Sequence, residues 1–379
     1  QLYRRGPAGG PRSEVLLMPY QYRWEVDSEI LLVNKKPTKR YMIATLGGYF
    51  PVIQLMKDGS IGAVVEAGDF HVGERGRLDF VRSLDGGESW GTARPIEIDG
   101  PDVRNQSFIS LSDGTLLVSY VHAAYRNGQF DETRGYDEVY VIRSNDYGDT
   151  WSSPRLADLS SIPVPGPHYS PYGKMTELPD GTILMPMYVG SRSDPKRFDS
   201  TLLRSNDGGD TWGDGSLIAS GFDETTLLYM PSGKLIAMMR YSGNRDSRGA
   251  NLWQADSADL GYKWSKPRQV TNPSQHPADL LLLRTGRILL TYGHRLPPFG
   301  VRALISKDEG KTWDHDNEIV LTADSASSDC GYPSVIQLDD GKIFAAYYAY
   351  ESPGPFKYNN FSSLGPHGAG VKFDESDIP

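Results

Sequence analysis

Cysteine is almost missing from this sequence: the 379 residues include one, Cys330. A single cysteine excludes an intrachain disulfide and any metal site that needs several thiolates. Runs of lysine and arginine are also missing, and the formal net charge at pH 7 is −9, so we expect no nucleic-acid partner. No apolar stretch approaches the length of a membrane-spanning helix, so we expect no membrane partner either.

Convincing amphipathic helices are absent as well. In their place, six pairs of short β-branched and aromatic runs recur, each pair joined by a tight turn that contains glycine. The pairs read FPVIQLM-KDG-SIGAVV, QSFISL-SDG-TLLVSYV, KMTEL-PDG-TILMPMY, TTLLYM-PSG-KLIAMM, LLLLR-TG-RILLTY and SVIQL-DDG-KIFAAYY. A third run follows the first five pairs (LDFVRS, YVIRS, TLLRS, LWQADS and RALIS), and a fourth is visible in PIEID, SLIAS and EIVLT. Units of four antiparallel strands are therefore predicted.

An eight-residue motif, Ser-x-Asp-x-Gly-x-x-Trp, punctuates these units. Its copies are SLDGGESW, SNDYGDTW, SNDGGDTW, SADLGYKW and SKDEGKTW, starting at residues 83, 144, 205, 257 and 306. The Asp can accept hydrogen bonds from the backbone of its own turn, and the Gly supplies a positive φ that a Cβ would resist. The Trp can then pack as an apolar plug between strands. Five spaced copies of such an Asp box indicate a repeat architecture.

The fold class predicted by these repeats is all-β: a six-bladed β-propeller of four-stranded antiparallel blades with five Asp boxes. We expect residues 1–46 to close the ring, with EVLLMPY and EILLVNK supplying the outer strand, and residues 47–379 to form a single propeller domain. The sixth unit lacks a box, and GAGVKF near the C-terminus can serve as its third strand. A seventh blade built from residues 14–46 is the competing count.

Strand order predicts which side chains share a face of the propeller. The start of a first strand, the end of a second and the start of a third emerge together, and the Asp boxes lie on the opposite face. Polar candidates at these positions are Tyr49, Arg77, Arg104, His122 and His168. A ring of cationic and titratable groups suits a polar, anionic ligand.

On these motifs the chain resembles the sialidase superfamily from about residue 47 to the end. DETTLLYMPSGKLIAMMR resembles the stretch in which a Glu that polarises the catalytic tyrosine precedes an arginine of the carboxylate-binding triad, which implies Glu224 and Arg240. VRALISKDEGKTW resembles the place of another triad arginine, here Arg302, and GYPSVIQLDDG the site of the tyrosine nucleophile, here Tyr332. A phenol needs such a carboxylate to take its proton before it can attack.

The first half of the chain departs from the sialidase pattern. Tyr49-Phe50-Pro51 stands where the family has an Arg-Ile-Pro-like motif, so the first triad arginine is absent. No Asp stands where the acid/base residue is expected, and the segment GDFHVGERGRLDF offers Asp69, His71 and Glu74 instead. An imidazole titrates near neutral pH, so His71 could be a general acid or base.

The resemblance implies a secreted, monomeric enzyme without a cofactor or metal, which hydrolyses a terminal glycosidic bond at an acidic sugar of an oligo- or polysaccharide with retention. The two departures fit the alternative of a polysaccharide lyase that eliminates at a uronate, such as a rhamnosyl-glucuronate end. A glycan-binding propeller without catalysis is the third hypothesis. The chain starts at Gln1 rather than Met, which is compatible with removal of an export leader.

Each candidate also has a structural reading. Tyr332 could cap the central tunnel, Glu224 could be a buried partner of Arg240, and Arg302 could form an ion pair between blades. His71, His122 and His168 could serve packing alone, since no metal-ligand spacing connects them.

Overall fold

A computed structural model gives the architecture. It describes residues 31–33, 36–45, 47–68, 71, 75–97, 102–126, 129–130, 138–191, 194, 197–241, 249–350 and 366–379. Six antiparallel sheets, each with four principal strands, follow one another along the chain as blades 1 to 6. The all-β, six-bladed prediction is confirmed.

Blades 1 to 5 take their principal strands in chain order, and the first strand of each blade lies nearest the axis, where it contacts the first strands of other blades. The strands of blades 1, 2 and 3 are Gly47–Leu55, Ile61–Ala67, Arg77–Ser83 and Arg94–Glu97; Val103–Ser110, Leu116–His122, Val139–Ser144 and Arg155–Leu156; His168–Pro171, Ile183–Gly190, Phe198–Ser205 and Gly213–Ser220. Those of blades 4, 5 and 6 are Phe222–Tyr229, Leu235–Tyr241, Asn251–Ser257 and Arg268–Gln269; Gln275–Leu282, Ile288–His294, Phe299–Ser306 and Ile319–Ser325; Gly331–Gln337, Ile343–Tyr350, Pro366–Phe373 and Arg40–Ala44.

Short strands complete the described secondary structure: Leu31–Val33, Lys36–Thr38, Tyr125–Arg126, Gln129–Phe130, Gly173–Lys174 and Thr176–Glu177. Gly173–Lys174 pairs in parallel with the first strand of blade 2. A 3₁₀ turn spans Glu375–Asp377. Within the described ranges, no helix has the length and apolar character needed to cross a membrane.

The ring closes through strand exchange in blade 6. Its fourth strand is Arg40–Ala44, which pairs antiparallel with Pro366–Phe373, with Tyr41 opposite Gly370. The segments expected to do this differ: EVLLMPY lies outside the described residues, and Leu31–Val33 of EILLVNK pairs with Lys36–Thr38. Blade 6 therefore combines one strand that precedes blade 1 with three strands that follow blade 5. This pairing closes the ring and removes an open edge.

The core lies between blades rather than at the axis. Six clusters of buried apolar side chains fill the six interfaces, including the one between blade 6 and blade 1. Between blades 1 and 2, for example, Phe80 and Phe108 are in edge contact with ring centroids 6.2 Å apart. Alternation along each strand produces these faces, and each buried large side chain contributes about 1.5–3 kcal/mol.

The Asp-box turns follow the third strands, on the face opposite to the first-strand starts. In the box at 205–212, Asp207 Oδ1 accepts from the Thr211 N–H at 2.9 Å, and Gly209 N–H donates to Ser205 Oγ at 2.9 Å. Gly209 has φ +89°, and a Cβ there would come within 2.4 Å of Leu117 in the preceding blade. The glycine therefore serves both the turn and the packing between blades.

Candidate active site

Irregular first strands build the pocket. The first strands of blades 1, 2, 4, 5 and 6 each shift register close to their starts. Phe50, Asn105 and Tyr332 occupy three of these bulges with φ values of +50°, +55° and +48°. A bulge re-aims its side chain out of the strand's alternation, and a left-handed backbone at a bulky residue is strained. Such strain at equivalent points around the ring marks a candidate functional site.

A cavity of about 170 Å³ lies at these bulges. Its described lining is mixed, with an aromatic wall, amides and charged groups from blades 1 to 6: Phe50, Pro51, Val52, His71, Arg104, Asn105, Gln106, Pro171, Tyr172, Gly173, Lys174, Tyr188, Glu224, Ala278, Asp279, Tyr332, Pro333 and Ser334. Within the described residues, no group of three His, Cys, Asp or Glu is placed to hold a metal ion.

Tyr332 and Glu224 line this pocket and form a hydrogen-bonded group with Arg240. The Tyr332 hydroxyl donates to Glu224 Oε1, and Arg240 Nη1 donates to Glu224 Oε2 at 2.5 Å and to the Tyr332 oxygen at 3.4 Å. Burial and then the charge of Glu224 raise the pKa of the Tyr332 phenol well above its usual value, against the opposing charge of Arg240. The phenol therefore stays protonated at rest, and Glu224 is placed to take its proton.

Arg295 is a second cation beside Tyr332, and sequence reasoning missed it. Its guanidinium carbon lies 5.4 Å from the centroid of the Tyr332 ring. Nε and Nη2 of Arg295 are buried and have no hydrogen-bond partner among the described residues. Buried N–H groups of a cation are costly when unpaired, so this guanidinium is suited to an anionic ligand group.

His71 forms a dyad with Asp329 across the pocket. His71 Nδ1 lies 3.0 Å from Asp329 Oδ2, and the Tyr348 hydroxyl donates to Asp329 Oδ1 at 2.5 Å. Burial opposes ionisation of Asp329, but hydrogen bonding and charge from His71, with the Tyr348 bond and the charge of Arg295, lower its pKa to about 2. The anion engages Nδ1, which leaves Nε2 available to the pocket.

Arg104 also lines the pocket, but its charge is already matched. Nη2 lies 2.7 Å from Asp102 Oδ2 and 3.8 Å from Glu66 Oε1, and it donates to the backbone carbonyl of His71 at 2.9 Å. Burial, only partly offset by Arg104, raises the pKa of Glu66 to about 7. Arg104 is thus placed to hold the chain at His71 as well as to meet a ligand.

Two expected ligand-binding residues lie elsewhere. The Arg302 guanidinium donates to the carbonyls of Thr322 at 2.6 Å and Val301 at 3.3 Å, inside blade 5. Strand alternation turns it away from the cavity, and Arg295 occupies the place beside Tyr332. Tyr49 is fully buried, with its hydroxyl 2.9 Å from that of Tyr350, because the bulge presents Phe50 instead.

Three further candidates pack outside the lining. Arg77 is in a double hydrogen bond with Asp79, at 2.8 and 3.0 Å. The His122 ring lies 4.7 Å from that of Tyr140, and the His168 ring lies 6.3 Å from that of Phe198. Asp69 and Glu74 lie outside the described residues.

One family of known proteins matches this chain. Residues 127–345, more than half of the chain, match the BNR repeat-like domain family. The chain belongs to the BNR repeat-like domain family. A comparison with curated proteins gives no match.

Solved structures similar to this BNR repeat-like protein share its propeller. A protein of unknown function from Dyadobacter fermentans is 26% identical, with a TM-score of 0.72, over 88% of this chain and 97% of that chain. A Hadza microbial sialidase is 19% identical, with a TM-score of 0.67, over 88% and 67% of the two chains. The Ruminococcus gnavus intramolecular trans-sialidase is 13% identical, with a TM-score of 0.62, over 88% and 96%. The likeness to the two sialidases is one of fold: each shares the propeller of this chain.

Proposed function

We propose that this BNR repeat-like protein is a retaining exo-glycosidase that releases a terminal acidic sugar from a glycan. The observation that carries the proposal is the contact of Tyr332 with Glu224, with Arg240 bonded to both, at the wall of the cavity. A tyrosine hydrogen-bonded to a buried carboxylate is an activated nucleophile. The fold of the sialidase neighbours supports glycosidase-type chemistry.

In the first step, Glu224 Oε1 takes the phenolic proton as the Tyr332 oxygen attacks the anomeric carbon. The bond to the leaving oxygen breaks, and His71 donates a proton from Nε2 to that oxygen. The glycosyl–tyrosine intermediate carries the sugar, and the aglycone leaves. Arg240, at 3.4 Å from the phenolic oxygen, stabilises the negative charge that develops there during the attack.

In the second step, His71, now neutral, takes a proton from water, and the resulting hydroxyl attacks the anomeric carbon. The bond between this carbon and the Tyr332 oxygen breaks, and Glu224 returns its proton to the phenolate. Two displacements at one carbon give net retention of configuration.

The acidic group of the substrate would bind at Arg295, with Arg240 beside it. Nε and Nη2 of Arg295 are buried and have no partner in the described part of the chain, whereas Arg240 already contacts Glu224 at 2.5 Å and lies 3.8 Å from Asp223. A carboxylate can pair with a guanidinium through two parallel hydrogen bonds. The site is thus best suited to a substrate with one carboxylate, which would pair with the Arg295 guanidinium.

Elimination is the second candidate, and Phe50 is the observation that favours it. Its ring is in edge contact with Tyr332 at 4.5 Å between centroids, and it belongs to the Tyr49-Phe50-Pro51 stretch, which stands in place of the Arg-Ile-Pro-like motif of sialidases. With one arginine fewer, the site is less suited to a carboxylate on the anomeric carbon. A uronate, whose carboxylate is at C5, would need a base for its C5 proton, and His71 is available for that.

Product analysis separates the two reactions. Purified protein is incubated with sialosides and with uronate-capped plant polysaccharides, and products are followed by mass and by absorbance near 235 nm. Hydrolysis predicts a released sugar that contains one added water and does not absorb. An absorbing product without the added water would reject hydrolysis in favour of elimination, and no turnover on any acidic glycan would reject both.

A further inference from the structure

Asp329 is a partly buried carboxylate that meets the pocket histidine and that no expected catalytic motif contains. Its two carboxylate oxygens have different partners: Oδ2 lies 3.0 Å from His71 Nδ1, and Oδ1 accepts from the Tyr348 hydroxyl at 2.5 Å. Its backbone N–H donates to Ser327 Oγ at 3.0 Å. The carboxylate is thus held by two side chains, and the backbone of Asp329 by a third.

We propose that Asp329 is the positioning residue of the acid/base step: it fixes the Nδ1–H tautomer of His71, leaves Nε2 for the substrate and stabilises the protonated imidazole. This inference rests on the proposed function only for the identity of the step, because hydrolysis and elimination would both use the same nitrogen. A histidine that donates from Nδ1 to a carboxylate has a fixed ring orientation and a single basic atom.

The segment that carries Asp329 also carries the nucleophile and packs closely against blade 5. Gly331 has φ +96°, and a Cβ there would come within 2.6 Å of the Gly293 Cα in blade 5, so the backbones are in close contact. Tyr332 follows at the bulge of the first strand of blade 6. The partner of His71 and the attacking tyrosine are therefore three residues apart in one packed segment.

Other groups around His71 cannot replace Asp329. Glu66 interacts with His71 through charge only, and it is matched by Arg104 at 3.8 Å. Arg104 bonds to the His71 carbonyl and not to its ring. The rings of Tyr49 and Phe50 lie 5.8 and 4.9 Å from the imidazole and supply packing alone. Among the described neighbours, Asp329 is the anion that bonds to the ring.

The first test does not need a substrate. The tautomer of His71 is read by nuclear magnetic resonance from the two ring nitrogens in ¹⁵N-histidine protein, with His71→Gln to assign the signals and Asp339→Asn, an exposed carboxylate, as the matched control. Because the carboxylate accepts from Nδ1–H, Asp329→Asn should shift the neutral ring away from the Nδ1–H tautomer. An unchanged tautomer would overturn the proposal, whether or not the protein has glycosidase activity.

A double-mutant cycle then tests the role in turnover. Asp329→Asn should lower kcat by about 10²-fold in the wild-type background and move the alkaline limb of the pH profile to lower pH. In the His71→Gln background the same change should have almost no further effect, because Asp329 acts through His71. An equal loss in both backgrounds would mean that Asp329 supports the fold only. Tyr348→Phe, which removes the bond to Oδ1, should show a smaller effect of the same kind.

Discussion

At the scale of residues, Tyr332 combines a strained backbone with a partly buried phenol whose partner is a carboxylate. Tyr332→Phe keeps the ring that packs on Phe50 and removes the attacking oxygen, so we expect kcat to fall by at least about 10³-fold. Steady-state kinetics on the substrate found by product analysis measures this. The loss of one hydrogen bond to Glu224 should lower the free energy of unfolding by no more than about 2 kcal/mol.

The matched control for this variant is Tyr262→Phe. Tyr262 also donates its hydroxyl to a carboxylate, that of Asp214 at 2.5 Å, but it lies in an Asp box on the opposite face. Turnover should be unaffected there. Full activity of Tyr332→Phe, with Tyr262→Phe equally active, would remove Tyr332 as the nucleophile.

Ionisation of Glu66 should make the free energy of unfolding depend on pH. Its pKa rises from 4.5 to about 7 on folding, mainly through burial, so between these values the folded protein holds a proton that the unfolded chain releases. Stability therefore falls as pH rises through this window, by up to about 3 kcal/mol. Gln at this position cannot ionise, so Glu66→Gln should unfold at a higher temperature than wild type at pH 8 and at nearly the same temperature at pH 4.

Thermal unfolding across pH 4 to 8 checks this prediction, with the exposed Glu138→Gln as control. A constant difference between Glu66→Gln and wild type over the whole range would contradict the raised pKa. Asp102 still pairs with Arg104 in the variant, at 2.7 Å, so the arginine keeps an anionic partner.

Residue positions in the site could be predicted only in part. Local motifs placed Glu224, Arg240 and Tyr332 in one pocket because each stands at a strand start or end that topology brings to the axis. Arg302 and Arg295 lie seven positions apart in the same blade, and the choice between them depends on which side of a strand each side chain takes. Phe50 replaced Tyr49 at the pocket because of a bulge, which shifts alternation by one residue. Prolines at 51 and 333, directly after Phe50 and Tyr332, were the available signal, since proline within a strand favours a bulge or an edge.

At the scale of elements, an Asp-box glycine has two functions: it adopts the positive φ of the turn, and it packs closely against the neighbouring blade. Gly148 has φ +87°, and a Cβ there would come within 2.2 Å of the Phe80 ring. Gly148→Ala should therefore lower the free energy of unfolding by more than the backbone strain alone, in total about 2–4 kcal/mol. Denaturant unfolding provides the measurement.

Gly181 offers a matched control, because it has φ +86° but nothing within 4 Å of the added Cβ. Gly181→Ala isolates the cost of the left-handed backbone, about 1 kcal/mol. Equal losses in the two variants would show that the contact with Phe80 adds nothing. The Asp boxes and hairpins could be predicted from the sequence because both depend on glycine and aspartate residues within a few positions of one another. The bulges could not, because a bulge depends on how a strand pairs with its partner.

At the scale of the whole molecule, six similar interfaces and one exchanged strand make a closed ring. The number of blades followed from counting hairpins, but the closing strand is Arg40–Ala44 rather than the more apolar stretches before it. The closing strand must pair in register with Pro366–Phe373, and the hydrophobicity of a segment alone does not predict that register. The domain boundary at residue 46, secretion and a monomeric state stay predictions.

The ring also explains why the candidate site draws on distant parts of the chain. Tyr332 and Glu224 are 108 residues apart, and His71 and Asp329 are 258 apart, yet each pair is in hydrogen-bond contact. Tyr332, Glu224 and His71 line the same cavity, and Asp329 contacts His71 beside it. A closed propeller brings such pairs together without any long-range sequence motif.

The central claim is that Tyr332 attacks the anomeric carbon, and the most direct measurement is the mass of the covalent intermediate. The protein is quenched in acid during turnover of its substrate, or of a fluorinated analogue that slows the second step, and is then digested and mapped by mass spectrometry. We predict one glycosyl adduct, on the peptide that contains Tyr332, and none in Tyr332→Phe. Turnover without an adduct on this peptide, together with an unsaturated product, would contradict the account.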